Sequence, residues 1–209
     1  TKYIFKRDNI FKTTNQLPNL NLEYMPTNQR PQTTLHLGQL KLFLSNLQFL
    51  LYHAPKNKEV HVLYIGSGGR SRLNFLTTLF PHCKLYLIDP IIKKNNMIDS
   101  KIFKNPNIVA IHKTIFTDKL VYKYKELFKD KYTLLITDIR MDNDESAIVN
   151  DNKLNLKWIK ILKPNYAQVK WRIPRINREY KYLTGKNYLQ IYAGSASTET
   201  RLVIKGNKK

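Results

Sequence analysis

Cysteine is nearly absent, with Cys83 alone in 209 residues. This excludes an intramolecular disulfide and any metal site built on several thiolates, and it points to a reducing compartment. Long apolar runs are missing too. No stretch approaches the roughly 20 uninterrupted apolar residues of a membrane span. The segment Thr1 to Lys12 mixes charge with aromatics and lacks the apolar centre of a signal peptide. A soluble intracellular protein is therefore the expectation. Internal repeats and low-complexity linkers are also lacking. Acidic residues are scarce: 15 Asp and Glu stand against 36 Lys and Arg, a formal charge of +21. Such an excess attracts nucleic acid first and an acidic membrane surface second. Coding bias toward Asn, Ile, Lys and Tyr explains part of the lysine content but does not remove that attraction.

The hydrophobic fraction, 42%, suits a globular chain, and the length suits one α/β domain. Residues 1–34 are rich in Asn, Gln and Thr and carry Pro18, Pro26 and Pro31, so they read as an extended arm. The remainder, 35–209, reads as one domain. Leu40, Phe43, Leu44, Leu47, Leu50 and Leu51 recur at helical spacing. Strands are then expected at 60–65, 84–88, 108–111, 132–137 and 166–171. Helices are expected at 72–80, 117–129 and 154–162. Residues 189–192 and 200–204 read as a closing antiparallel pair. Alternating strands and helices predict a mainly parallel sheet with helices on both faces, and ligands then bind at the carboxyl ends of the strands. Gly66, Asp89 and Asp138 fall at such ends.

Val62 to Arg70 is a strand that runs into the glycine-rich turn Gly66-Ser67-Gly68-Gly69. Glycines let the backbone adopt positive φ and pass close to a ligand. About twenty residues on, Asp89 ends the next strand, where a carboxylate can accept both ribose hydroxyls of an adenosine. The spacing nearly matches a dinucleotide fingerprint, with Ser71 at the third position. A nicotinamide-dependent oxidoreductase therefore competes with a methyltransferase at this point.

Six short motifs occur in order: Gly38-Gln-Leu-Lys-Leu42, Tyr64-Ile-Gly-Ser67, Leu87-Ile-Asp89, Thr137-Asp-Ile-Arg140, Val169-Lys-Trp-Arg172 and Glu199-Thr-Arg-Leu202. The series resembles the poxvirus family of cap-specific 2′-O-methyltransferases, whose members also serve as the stimulatory subunit of poly(A) polymerase. The resemblance implies a Rossmann-like methyltransferase domain over 35–209 that uses S-adenosylmethionine and no metal. It implies a catalytic tetrad of Lys41, Asp138, Lys170 and Glu199. It carries cofactor contacts onto Gln39, Tyr64, Gly66, Ser67, Gly68, Asp89, Ile115 and Asp138. Two positions depart from the family. Arg70 or Gly69 stands where the family has a late loop glycine, and Pro90 and Ile91 follow Asp89 where the family has an arginine.

A ribose hydroxyl must lose its proton as it attacks the methyl carbon. A lysine takes a proton only when neutral, a form that burial and a second nearby ammonium favour. Lys170 is the expected base and Lys41 its cationic neighbour, with Asp138 and Glu199 orienting the two lysines. In the family the methylated guanine is stacked between two aromatic side chains. Tyr24, on the arm, matches the first, whereas Arg175 replaces the second. Arg172, Arg175 and Arg178, with Tyr180 and Tyr182 interleaved, read as a basic and aromatic groove for RNA. The expected activity is 2′-O-methylation of the first transcribed nucleotide of capped mRNA, in the cytoplasm or in a virion. A poly(A) polymerase or capping-complex subunit is the expected protein partner. The alternatives are a methyltransferase for internal RNA positions and a non-catalytic RNA-binding subunit.

Overall fold

The computed structural model describes residues 2–6, 38–68, 72–93, 100–140, 142, 144–174, 179–191 and 197–206. Strand β1 is Lys2–Lys6 and helix α1 is Gly38–His53. There follow β2 (Val60–Ile65), α2 (Arg72–Leu79), β3 (Cys83–Ile88) and β4 (Ile108–His112). Then come α3 (Asp118–Leu127), β5 (Thr133–Thr137), α4 (Glu145–Leu162) and β6 (Tyr166–Trp171). The chain closes with β7 (Glu179–Leu183), β8 (Lys186–Tyr188) and β9 (Thr200–Lys205).

Among the described residues, seven strands form the main sheet in the order β4-β3-β2-β5-β6-β9-β8. The first five run parallel; β9 is antiparallel to β6, and β8 to β9. Every residue of β2 and β5 is buried. That suits apolar runs such as Val60 to Ile65, because central parallel strands are covered on both faces. Alternation along the strands separates two cores. Leu63, Ile65, Leu135, Val169 and Trp171 pack with Val121, Tyr124, Trp158 and Ile159 of α3 and α4. Val62, Tyr64, Leu134 and Ile136 pack with Phe49, Leu50, Leu73 and Leu76 of α1 and α2. From β2 the chain winds outward to β3 and β4, then crosses back to β5 and β6. The crevice between the carboxyl ends of β2 and β5 is thus the switch point of the sheet, where doubly wound folds bind ligands.

Three sequence expectations are corrected. The helix expected at 154–162 begins earlier, at Glu145, where Asp144 caps it by accepting from the Ala147 N–H at 2.6 Å. Its first half carries Asn150, Asp151 and Asn152, residues that disfavour a helix interior. Asp151, Asn152 and Asn155 are nevertheless buried, and tertiary partners support them. Arg140 donates to Asp151 at 3.2 Å, and the Asn152 amide donates to the Arg172 carbonyl at 3.1 Å. Second, the strand expected at 189–192 lies at Lys186–Tyr188. Gly185 permits this shift, since a side chain there would collide with the Val203 carbonyl of β9. Third, Tyr180 and Tyr182 are not free to stack on RNA bases. They sit on β7, which pairs antiparallel with β1. Tyr182 is buried with its ring 4.4 Å from Trp171, and its hydroxyl donates to the Asn152 carbonyl at 2.9 Å. Tyr180 packs beside the same tryptophan at 5.9 Å. Alternation along a strand turns both rings into the core.

Candidate active site

Four strand ends are stitched together by backbone hydrogen bonds. Asp89 N–H donates to the His112 carbonyl, Gly66 N–H to Ile88, and Asp138 N–H to Ile65, at 3.0, 2.8 and 2.9 Å. Gly66 sits at φ +75°, and a Cβ there would lie 2.7 Å from the Asp138 carbonyl oxygen. The glycine thus lets the turn after β2 press against the start of the turn after β5. Gly68, at φ +68°, has open space in the Cβ direction except for the Arg72 guanidinium at 3.7 Å. Arg72 donates to the Ser67 carbonyl at 2.8 Å and braces this turn.

Asp89 is 5% exposed. Its Oδ2 accepts the Gly68 N–H and its Oδ1 the Ile91 N–H, each at 2.7 Å. Each oxygen retains acceptor capacity, so the carboxylate is aimed and still able to take a diol. Ser67 is buried. Tyr64 is buried as well, and its hydroxyl accepts from Asn46 of α1 at 2.9 Å. Gln39 lies in the first turn of α1. Ile115 follows β4 and is 58% exposed.

Beyond this turn the structure brings Lys41, Asp138, Lys170 and Glu199 together. Lys170 Nζ lies 3.5 Å from Asp138 Oδ1 and 3.4 Å from Glu199 Oε2. Lys41 Nζ lies 3.5 Å from Glu199 Oε1. The fold explains the convergence of residues so distant in sequence. Asp138 follows β5, Lys170 is the penultimate residue of β6, and Glu199 precedes β9, which pairs with β6 through Lys170 and Arg201. Helix α1 is fastened across these strands by Gln168 of β6, whose amide donates to the Ser45 carbonyl at 2.9 Å. The Ser45 hydroxyl in turn donates to the Lys41 carbonyl.

Among the described residues, three further side chains, to which the sequence reading gave no role, join the cluster. Arg201 is 3% exposed. Its Nη2 donates to Asp138 Oδ1 at 2.9 Å and lies 3.7 Å from Glu199 Oε1. Burial alone would lower its pKa, but the charges of Asp138 and Glu199 outweigh that and raise it. Arg140 Nη2 lies 3.7 Å from Glu199 Oε2, and its other nitrogen reaches Asp151. Gln190 donates to Glu199 Oε1 at 3.0 Å. Burial pushes the Glu199 carboxyl up. Lys170, Arg201, the Gln190 hydrogen bond and Lys41 together overcome this and hold it down at about 2. A signal for the two arginines was present: each stands two residues beyond an acidic site residue, hence on the same face of an extended chain.

Arg172 is half-buried and ion-paired with Glu145 in the first turn of α4. Tyr24, Arg175 and Arg178, together with Gly69, Arg70 and Ser71, lie outside the described residues. Among the described residues no group of three or more His, Cys, Asp or Glu could hold a metal ion, and no helix is long and apolar enough to cross a membrane.

Comparison with known proteins bears out the resemblance drawn from the motifs. A fowlpox virus protein named cap-specific mRNA (nucleoside-2′-O-)-methyltransferase is 29% identical over 178 residues. That alignment covers 79% of this chain and 57% of the relative. The myxoma virus protein of the same name is 28% identical over 199 residues, covering 87% of this chain and 57% of its own length. The chain thus spans little more than half the length of these relatives. Among solved structures, bluetongue virus VP4, described as a multifunctional RNA-capping production line, matches with a TM-score of 0.59 at 20% identity. The match covers 80% of this chain and 26% of VP4, and it supports the Rossmann-like fold. The family described as poly(A) polymerase regulatory subunit matches residues 8–209. Nearly the whole chain is contained in that match, and the protein belongs to the poly(A) polymerase regulatory subunit family.

Proposed function

We propose that this protein transfers a methyl group from S-adenosylmethionine to the 2′-hydroxyl of an RNA ribose, on the first transcribed nucleotide of capped mRNA. The observation that carries this reading is the convergence of Lys41, Asp138, Lys170 and Glu199 beside the Gly66–Gly68 turn. The turn fits an adenosine-bearing cofactor. Asp89 keeps acceptor capacity for two ribose hydroxyls while backbone N–H groups hold it in place, and the Cβ direction at Gly68 is open. The Gly66–Gly68 turn, Asp89 and Ile115 would hold the nucleoside, and Gln39, Tyr64 and Asp138 are the other contacts of this reading. When bound, S-adenosylmethionine supplies an electrophilic methyl group on a sulfonium.

The remaining chemistry belongs to the side chains. A neutral lysine amine has two N–H bonds and one lone pair. With its N–H bonds directed at Asp138 and Glu199, Lys170 turns the lone pair outward, toward the proton of an attacking hydroxyl. Lys41 and Arg201 offset the charge of the two carboxylates, and Arg140 adds a further cation next to Glu199. Holding the ribose oxygen in line contributes more than the base does, because positioning alone supplies roughly 7–11 kcal/mol in well-oriented reactions. The name of the family supports a poly(A) polymerase as protein partner. The poxvirus relatives support action on viral mRNA in the cytoplasm. Tyr24, Arg172, Arg175 and Arg178 are the cap and RNA contacts of this reading, and Arg172 is paired with Glu145 in the structure.

The test is transfer of labelled methyl to two short RNAs, one capped with methylated guanosine and one uncapped. Label on the 2′-oxygen of the capped RNA alone is the expected result. Label on both moves the activity to RNA in general, and none on either, with RNA bound, leaves a binding subunit. Lys170→Ala should lower the transfer rate by about 10²- to 10⁴-fold while RNA and cofactor remain bound.

A further inference from the structure

Gln190 follows β8 and is buried beside the tetrad. Its amide nitrogen donates to Glu199 Oε1 at 3.0 Å and to the Glu199 carbonyl at 3.2 Å. Its amide oxygen accepts the Nε–H of Arg201 at 2.9 Å. These partners dictate which end of the amide is which, since an ionised carboxylate only accepts and a guanidinium only donates. The contacts of Glu199 with Lys170, Lys41, Arg140 and Arg201 span 3.4–3.7 Å. At such distances a hydrogen bond is long and orients its partner less firmly than the 3.0 Å bond from the amide. The four cations flank both oxygens, two on each, and hold the carboxylate mainly by charge. The amide adds a firmer constraint.

We infer that Gln190 is a positioning residue for methyl transfer, an inference that rests on the function proposed above. It engages Glu199 Oε1, so Oε2 is the oxygen presented to Lys170. Through Arg201 it also steadies Asp138, since the same guanidinium that donates to Gln190 donates to Asp138 Oδ1. Both carboxylates that flank Lys170 are therefore referred to one neutral side chain from outside the tetrad. Two misaligned N–H acceptors would turn the amine's lone pair away from the ribose hydroxyl without removing any group that touches substrate.

Two substitutions test this. Gln190→Met keeps the length and removes all three hydrogen bonds. Gln190→Glu, nearly isosteric, keeps the acceptor for Arg201 but replaces the donor to Glu199 with an acceptor. The measurements are single-turnover methyl transfer at saturating RNA and S-adenosylmethionine, the Kd of each, the thermal midpoint, and the side-chain NMR signal of Lys170 in lysine-labelled protein. Both variants should slow transfer about 10- to 100-fold, the scale of one lost charge-assisted hydrogen bond. Both Kd values should stay within about twofold, and the Lys170 signal should move. Transfer at the wild-type rate in either folded variant overturns the inference. So does weaker binding with an unchanged rate at saturation. If Gln190→Met does not fold, Gln190→Glu carries the same comparison. If the wild-type protein methylates no RNA, the proposed function fails instead, and the NMR signal decides. A shifted Lys170 signal in the variants then supports the positioning role, and an unshifted one refutes it.

Discussion

Replacing Glu199 by Gln should destabilise the protein in a manner that depends on pH. The Glu199 carboxyl is held at about 2 in the folded protein, against an ordinary value of 4.5. Burial opposes this, and the charges of Lys170 and Arg201, the bond from Gln190 and the charge of Lys41 overcome it. A gap of about 2.5 pH units corresponds to about 3 kcal/mol in favour of the folded state. Because the folded value is the depressed one, this contribution is complete above the unfolded value near 4.5 and is lost as pH falls toward about 2. At neutral pH the variant should therefore unfold with about 3 kcal/mol less free energy, a fall in Tm of roughly 6–12 °C for a chain of this size. The difference from wild type should shrink steadily as the solution is acidified from about pH 5 to about pH 3. Equilibrium urea unfolding of both proteins across that range measures it. A difference that stays constant with pH would refute the account, as would no difference at neutral pH. Either result would mean that Lys170, Arg201, Lys41 and the Gln190 amide do not act on Glu199 as a group.

Gly66→Ala forces a left-handed backbone on a residue whose Cβ would meet the Asp138 carbonyl at 2.7 Å, and should cost about 2–4 kcal/mol in thermal unfolding. Gly68→Ala meets only the Arg72 guanidinium at 3.7 Å and should cost about 1–2 kcal/mol; equal losses at the two sites would contradict the close approach of the two turns. Burial pushes the Cys83 thiol up to about 12, so a disulfide reagent at neutral pH should leave the native protein unlabelled and react fully once urea unfolds it; rapid native labelling would refute the burial. Binding of a short uncapped RNA should weaken linearly in log–log salt plots, with a slope of about −0.7 per phosphate contacted, and a flat plot would remove the electrostatic contribution.

The sequence by itself determined the kind of sheet and the chemistry on offer at its edge. Apolar runs of five or six residues ending at Gly66, Asp89 and Asp138, alternating with segments of helical periodicity, indicate parallel strands covered by helices on both faces. The ordered motifs named the four polar side chains. What sequence patterning did not determine was anything set by groups distant along the chain. Residues 145–153 fell outside the helix expected at 154–162, and Asn150, Asp151 and Asn152 compete with helix formation locally. They are helical because Asp144 caps the helix and Arg140 and Arg172 meet its buried polar residues. Tyr180 and Tyr182 read as an RNA-facing pair because composition does not say which way a strand faces, and pairing with β1 and packing on Trp171 turned them inward. Arg201 and Gln190 went without a role for the same reason. Their importance lies in which oxygen of Asp138 or Glu199 each one holds, and only the antiparallel pairing of β9 with β6 and of β8 with β9 brings those atoms within hydrogen-bonding distance.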